Sequence, residues 1–136
     1  MLANRSMPKS TVIPVLAYPR LGEAIDWLCA AFGFTLRLRI GNHRAQLNVG
    51  DGAIVVGEEP EAAAADLQRV MVRVDDADAH CERAKAFGAR VVSAPSDYPY
   101  GERQYTAEDF AGRRWTFSQS SAEVDPVAWG GTPGAL

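Results

Sequence analysis

The sequence predicts an α+β fold built from two tandem βαβββ units, and three observations carry that prediction. A β-rich run, an amphipathic helix and three alternating segments follow one another in the first half of the chain. The same order returns in the second half. Two landmarks also recur at a common offset of 55 residues, Phe32-Gly33 with Phe87-Gly88 and Val15 with Val70.

The first strand is expected at Thr11 to Tyr18, TVIPVLAY. In LGEAIDWLCAAFGF, Ile25, Leu28, Cys29 and Phe32 fall at i, i+3, i+4 and i+7, which makes one apolar helical stripe. Gly33 stands where a helix needs a left-handed residue to end. Three strands follow, at Phe34 to Ile40, Arg44 to Val49 and Ala53 to Val56, separated by the turn signals Gly41-Asn42 and Gly50-Asp51-Gly52. The run EEPEAAAAD, Glu58 to Asp66, has no strand period and reads as a linker.

The second unit opens with an alternating strand at Leu67 to Val74. Asp75-Asp76 caps a helix over ADAHCERAKAFG, which closes at Gly88. Further strands are expected at Ala89 to Ser93, Glu102 to Glu108 and Arg113 to Gln119, with the turn-rich loop PSDYPYG, Pro95 to Gly101, between the first two. The organisation is then an extension at 1–10, a domain at 11–119 with modules 11–58 and 67–119, and a loose tail at 120–136 in which Trp129 alone has something to dock.

Composition narrows the function classes. With 47% hydrophobic and 23% charged residues the chain reads as a globular domain, neither disordered nor fibrous. Its 14 Lys plus Arg against 17 Asp plus Glu leave a formal charge of -3, which argues against a generic nucleic-acid binder. Two cysteines, Cys29 and Cys81, without CxxC spacing cannot build a disulfide scaffold or a cysteine-rich zinc site, and a reducing cytoplasm suits them. No apolar stretch approaches about 18 residues, so no membrane partner is expected.

The repeat resembles the vicinal oxygen chelate superfamily, which includes glyoxalase I, extradiol dioxygenases and bleomycin-resistance proteins. The resemblance spans Thr11 to about Gln119. Its most specific part is GERQYTAEDFAGRRWTFSQ, Gly101 to Gln119, where an Asp-x-x-Gly turn leads into the last strand; the helix-ending FGF and the VDDADAH start of the second module support it. The resemblance implies curled mixed sheets around a cavity and pairing of subunits, hence a homodimer. It also places metal ligands of the metal-dependent members at Ile13, about Val56, Gln68 or Arg69, and Thr116, each within one residue. A divalent ion needs several His, carboxylate or thiolate donors, and these positions do not supply them. His43 sits by a turn and His80 in the second helix, so neither completes such a site, and no metal or other cofactor is expected.

Strand alternation predicts what the cavity walls hold. Val70, Val72 and Val74 share the helix side, which leaves Arg69, Met71 and Arg73 on the other. Thr35, Arg37 and Arg39 oppose Leu36, Leu38 and Ile40; Arg44, Gln46 and Asn48 oppose Ala45, Leu47 and Val49; Arg114, Thr116 and Ser118 oppose Trp115 and Phe117. Together with the resemblance, which puts Tyr98, Tyr100, Glu102, Arg103 and Tyr105 at the cavity mouth, this gives Arg37, Gln46, Arg69, Met71, Arg103, Tyr105, Arg114 and Thr116 as candidate ligand-binding residues. Guanidinium forks on such walls suit an anionic or oxygen-rich organic ligand; arginine stems that merely cover an open sheet face are the competing account. Cys81 lies with Ala77 and Ala84 on an apolar stripe, so a Cys-His nucleophile beside His80 is not supported.

Three functions remain. One is a metal-independent binder of a small molecule, similar to the bleomycin-resistance branch, which sequesters an antibiotic or another oxygen-rich or anionic organic ligand. The second is a glyoxalase-like lyase or isomerase, or a dioxygenase, which needs ligands outside the family positions or acid-base chemistry by Glu102, Tyr105 or Glu108. The third is a pure interaction or structural module, which a filled cavity and no ligand in soaking or thermal-shift screens would favour.

Overall fold

Within residues 3–60 and 69–134, which the computed structural model of the chain describes, the elements form in the predicted order. The first module holds β1 (Val15–Tyr18), α1 (Leu21–Phe32), β2 (Thr35–Ile40), β3 (Arg44–Val49) and β4 (Gly52–Glu58). The second holds β5 (Arg69–Arg73), α2 (Ala77–Ala86), β6 (Arg90–Tyr98), β7 (Glu102–Glu108) and β8 (Arg114–Ser120). Each module is a four-stranded mixed sheet, in the orders β1-β4-β3-β2 and β5-β8-β7-β6. The first strand runs parallel to the last, and the remaining pairs are antiparallel.

Boundaries shift for local reasons. Strand β1 begins at Val15 rather than Thr11, after Pro14, which has no N–H for the ladder; the Pro14 carbonyl still accepts from the Val55 N–H at 2.9 Å. Strand β6 continues through Pro95 to Tyr98, past the expected end at Ser93. It manages this at the sheet edge with register shifts between Val91 and Ser93 and between Ser93 and Ser96, where a proline is tolerated. Leu67 and Gln68 of the expected strand, and most of the expected linker, lie outside the described residues.

The repeat is also offset differently at its strands than at its helix ends. Leu16 pairs with Val56 in the first sheet and Val72 with Phe117 in the second, all four on the helix side, so Leu16 and Val72 are the equivalent residues. Val15, 62% exposed, faces away from the helix, whereas Val70 packs toward the core. The match of Val15 with Val70 is therefore out of phase by one residue, which in a strand is the opposite face.

Helix α1 buries Leu21, Ala24, Ile25, Leu28, Ala31 and Phe32 against its sheet, and Gly33, at φ 80°, turns the chain with its N–H on the Cys29 carbonyl. Helix α2 is capped by the Asp76 side chain, which accepts from the Ala79 N–H at 3.0 Å, and it buries Ala77, Cys81 and Ala84. Burial pushes the Cys81 thiol up, as expected for a structural cysteine.

One core joins the modules. Phe32 at the end of α1 meets the rings of Trp115 and Phe117 on β8, at centroid distances of 5.5 and 4.9 Å. Trp27 donates its indole N–H to the Phe87 carbonyl at 2.9 Å, and Arg83 donates to the Ala30 carbonyl at 3.0 Å. His80 of α2 bridges the same seam: Nε2 faces the Phe32 carbonyl at 3.1 Å and Nδ1 takes the Tyr105 hydroxyl. Both ring nitrogens are thus used by the neutral imidazole, with Nε2–H donating and Nδ1 accepting.

Desolvation holds His80 below the usual histidine range, with the nearby Arg83 charge acting the same way against the opposing hydrogen bond to Phe32. In the unfolded chain the group titrates near pH ~6.5. Its contribution to stability is therefore complete above that pH and is lost as the pH falls below it. Thermal melts are expected to show a falling Tm between about pH 7 and pH 5, and His80→Asn is expected to flatten that slope. An unchanged slope in the variant would assign the effect elsewhere.

Candidate functional site

Both sheets present a face turned away from the helices, and these concave faces are the candidate site. In module two, β5 contributes Arg69, Met71 and Arg73, and β8 contributes Arg114, Thr116 and Ser118. By register, β7 adds Glu102, Gln104, Thr106 and Glu108. Arg69, Met71, Gln104, Thr106 and Thr116 of this face border a cavity of about 400 Å³, together with Val92, Ser93, Tyr98, Tyr100 and Tyr105.

The floor is a connected polar ladder. Tyr100 donates to Gln104 Oε1 at 3.3 Å, Gln104 Nε2 donates to the Ser118 hydroxyl at 3.0 Å, and Ser118 donates to Glu102 at 2.7 Å. Thr106 and Thr116 share a hydrogen bond of 2.8 Å beside it. Hydroxyl donors on Ser120 and Ser118 hold the Glu102 carboxyl below its ordinary range, so it is an anionic acceptor at neutral pH.

One side of the cavity is aromatic. Tyr98 stacks on Tyr100 at 5.5 Å, and Trp129 lies against Tyr100 at 5.3 Å. Trp129 reaches that place because residues 121–130 carry more structure than their composition predicts. Ser121 and Ala122 both donate to the Gly101 carbonyl, and Pro126–Trp129 form a 3-10 turn capped by Asp125. A side chain at Gly101 would meet the Ala122 carbonyl at 2.3 Å, so the fold-back requires glycine there.

The charge balance on this face is positive. Arg90 is held by Glu108 at 3.0 Å and Arg114 lies 3.6 Å from the same carboxylate, while Arg73 bonds Ser120. Counting Arg69 as well, four guanidinium groups face two carboxylates, Glu102 and Glu108. An anionic ligand is therefore better matched than a cationic one.

Of the eight candidate residues, the structure brings five together here, Tyr105 among those that border the cavity. Arg69, Met71 and Thr116 line the cavity, Met71 with 60% of its surface exposed, and Arg114 pairs with Arg69 across the ladder. Arg69 and Met71 also border a second cavity of about 430 Å³, which lies against Pro14, Val15 and Leu16 of the first module and is closed by Arg113. Arg37 and Gln46 lie on the concave face of module one instead.

Arg103 and Tyr105 both project from β7 to the helix side, and Tyr105 still borders the cavity. Tyr105 pairs with Phe117 on the helix side, is buried, and gives its hydroxyl to His80; burial raises its hydroxyl pKa far above the ordinary range. Arg103 projects to the same side, where it holds Asp78 of α2 at 2.8 and 3.0 Å and Asp97 at 3.1 Å. Alternation along β7 carries the signal: Ala107 and Tyr105 on the core side oblige Glu102, Gln104 and Thr106 to face the cavity. Of those three, Glu102 is among the residues placed at the cavity mouth, and Gln104 and Thr106 are the ones that placement misses.

Arg39 is corrected. A bulge in β2 makes Leu36 oppose Leu47 but Leu38 oppose Gln46, which reverses the alternation beyond Arg37. Arg39 consequently opposes Ala45 on the helix side, and its guanidinium reaches the start of α1 at Gly22.

The donors do not fit a divalent metal. On the parallel pairs β1–β4 and β5–β8 the concave face carries Val15, Ala17, Ala53, Val55 and Gly57 in module one and Arg69, Met71, Arg73, Arg114, Thr116 and Ser118 in module two. None offers an imidazole, carboxylate or thiolate. Val56, a position implied by the resemblance, points into the core, and Gln68 lies outside the described residues. Among the described residues no three His, Cys, Asp or Glu side chains cluster as a metal would require.

Comparison with known proteins agrees with this architecture. Residues 12–117 match the model of the Glyoxalase/Bleomycin resistance protein/Dioxygenase superfamily. The solved structure of TioX from Micromonospora sp. ML1 is 34% identical, with a TM-score of 0.70 over 85% of this chain and 100% of that one. A bleomycin-binding protein complexed with bleomycin is 18% identical, with a TM-score of 0.66 over 82% of this chain and 98% of that one. The fosfomycin resistance protein FosX from Listeria monocytogenes is 14% identical, with a TM-score of 0.69 over 83% and 94%. The last two likenesses are of fold alone. A search of curated proteins finds no match. The family match covers both modules, and the chain belongs to the glyoxalase/bleomycin resistance protein/dioxygenase superfamily.

Proposed function

We propose that this chain is a metal-independent binding protein that sequesters an anionic or oxygen-rich organic molecule against the concave face of module two. The carrying observation is the cavity and the sheet face around it: Tyr98 and Tyr100 at the wall with Trp129 against Tyr100, a hydrogen-bonded polar floor, Arg69 at the wall and the guanidinium groups of Arg73, Arg90 and Arg114 on the same face. Such a surface needs no chemistry to hold a ligand, only stacking area and placed donors. The bleomycin complex of a fold relative is consistent with binding as a use of this architecture, although the ligand itself does not transfer at that identity.

A second copy of the chain is proposed to close the site. Each sheet leaves its concave face open, and Val15 and Met71 stand largely exposed on the edge strands β1 and β5. Pairing would cover this apolar surface and turn a half-cup into an enclosed pocket. No helix among the described residues is long and apolar enough to cross a membrane. Both cysteines are free, which supports a reducing, cytoplasmic setting.

The test uses 2-naphthoate as a planar aromatic anion and 2-naphthylmethylammonium as its cationic counterpart, in calorimetry and thermal-shift titrations. The anion is expected to bind and the cation to bind more weakly. Tyr100→Ala is expected to weaken the anion roughly 3- to 10-fold, and dialysis against chelator to leave binding unchanged. Stoichiometric Ni, Zn, Fe or Mn in the purified protein, or preference for the cation, would overturn the reading. Light scattering is expected to give a dimer; a monodisperse monomer would remove the second copy from it.

A further inference from the structure

We infer that the concave face of module one is a binding site for a turn of backbone that presents consecutive carbonyl acceptors, such as a peptide turn, and that the protein's own residues 5–8, which continue from a turn closed by the Met7 N–H on the Asn4 carbonyl, occupy it as a displaceable strap. This rests on reading the concave faces as ligand walls. The observation behind it is local to module one and independent of the cavity in module two.

Three consecutive backbone carbonyls lie on two side chains. Arg37 Nη2 donates to the Arg5 carbonyl at 3.0 Å and to the Met7 carbonyl at 3.1 Å. Gln46 Nε2 donates to the Ser6 carbonyl at 2.8 Å. The two side chains are fixed to each other, since Arg37 Nη1 donates to Gln46 Oε1, which leaves the Gln46 amide N–H groups pointing outward. Gln46 is only 4% exposed under this segment, and Pro8 is buried beside it. Every bond is made to main chain, so the recognition reads carbonyl spacing rather than the side chains of the strap.

The scaffold supports the same assignment. The β2 bulge falls at Arg37, between the Leu36 and Leu38 pairs, and bulges of this kind re-aim a side chain at a site. The internal symmetry is more telling. Val55 opposite Val15 corresponds to Thr116 opposite Met71, and Gln46, opposite Val55, then corresponds to Thr106. Thr106 and Thr116 floor the open cavity of module two. The place that is open in one module is filled in the other by the chain's own N-terminal segment, with a residual cavity of about 180 Å³ between Pro8, Lys9, Ser10, Arg37 and Asn48.

A ligand presenting several closely spaced acceptor oxygens competes for the same donors. The strap keeps those donors satisfied without it, so that Arg37 and Gln46 are not left unpaired against the sheet. Ligand affinity is reduced by the fraction of time the strap is seated, and a ligand that binds must release residues 5–8.

Release is read on the full chain by trypsin cleavage after Arg5, whose carbonyl belongs to the scissile bond. Protection there reports the seated population when opening is fast. Arg37→Ala and Gln46→Glu are each expected to speed cleavage roughly tenfold or more, and Glu82→Ala, on α2 and, among the described residues, paired only with Lys85, to leave it unchanged. The Glu variant is nearly isosteric, keeps an acceptor for Arg37 and turns a carboxylate oxygen instead of a donor toward the Ser6 carbonyl, so it keeps the test open should Arg37→Ala fold poorly. N-acetyl-trialanine amide at millimolar concentration is expected to accelerate cleavage of the wild-type chain and to add nothing in Arg37→Ala. Equal cleavage in wild type and both variants would overturn the strap, and no acceleration by the tripeptide would overturn the ligand class. Neither outcome depends on whether 2-naphthoate binds module two, so the two readings fail separately.

Discussion

Asp109→Ala is expected to destabilise the fold by roughly 3–5 kcal/mol, with a fall in Tm on the order of 10 °C or more for a domain of this size. Asp109 is buried in the turn before β8 and accepts four hydrogen bonds. Its Oδ1 takes the Ala111 and Arg113 N–H groups, both at 3.0 Å, and its Oδ2 takes the Tyr18 hydroxyl at 2.7 Å and the Trp115 indole N–H at 3.0 Å. One carboxylate therefore ties the closing turn of module two to the first strand of module one. Burial, reinforced by the Asp109 charge, pushes the Tyr18 hydroxyl far above its ordinary pKa, so it remains a donor at any physiological pH. Arg113 adds a second tie, donating to the Ala17 carbonyl at 3.0 Å while lying over the Tyr18 ring. Alanine would strand those donors in the core. Tyr18→Phe removes one donor and leaves three partners for the carboxylate, so it is expected to cost only about 1 kcal/mol. Chemical denaturation followed by circular dichroism separates the two; comparable losses in both variants would show that the carboxylate is not the hub.

Much of this was legible from residue pattern. The order of elements, the left-handed end at Gly33, the cap at Asp76 and the core side of Cys81 all follow from local chemistry, which tertiary context did not override. The Asp-x-x-Gly turn was legible as a landmark, but not as an inter-module hub, because nothing local says that Tyr18 lies across from Asp109. Faces were read correctly wherever strands keep their register, as for Arg69, Met71, Arg114 and Thr116. They were misread at two kinds of place. The bulge at Arg37 reverses everything after it, and no residue there announces an extra position. Arg103 and Tyr105 were placed by likeness to other proteins rather than by the alternation of β7, which points the other way. The segment over Arg37 and Gln46 was invisible for a different reason: residues 5–8 are recognised through main-chain carbonyls, which every residue has.

Phe32→Ala is expected to cost roughly 3–5 kcal/mol as well, the range for removing a buried aromatic ring, and to do so in both modules at once. The Phe32 ring sits among Trp27 at 5.0 Å and Phe34 at 5.7 Å in its own module and Trp115 at 5.5 Å and Phe117 at 4.9 Å in the other, with the His80 ring at 6.1 Å. A module of this length buries only roughly 60% of its unfolded surface by itself, so neither half has a sufficient core without the seam. A cavity opened at Phe32 therefore removes contacts that β8 needs as much as α1 does. Hydrogen exchange distinguishes a shared core from two adjoining ones: protection is expected to fall together in β3–β4 and β7–β8 of the variant. The comparison is Leu47→Ala, which empties a fully buried position on the module-one sheet. If Phe32→Ala lowered protection in module one and left β7–β8 as in the wild type, the modules would be independent folding units, and closure of the cups would have to be explained without a common core.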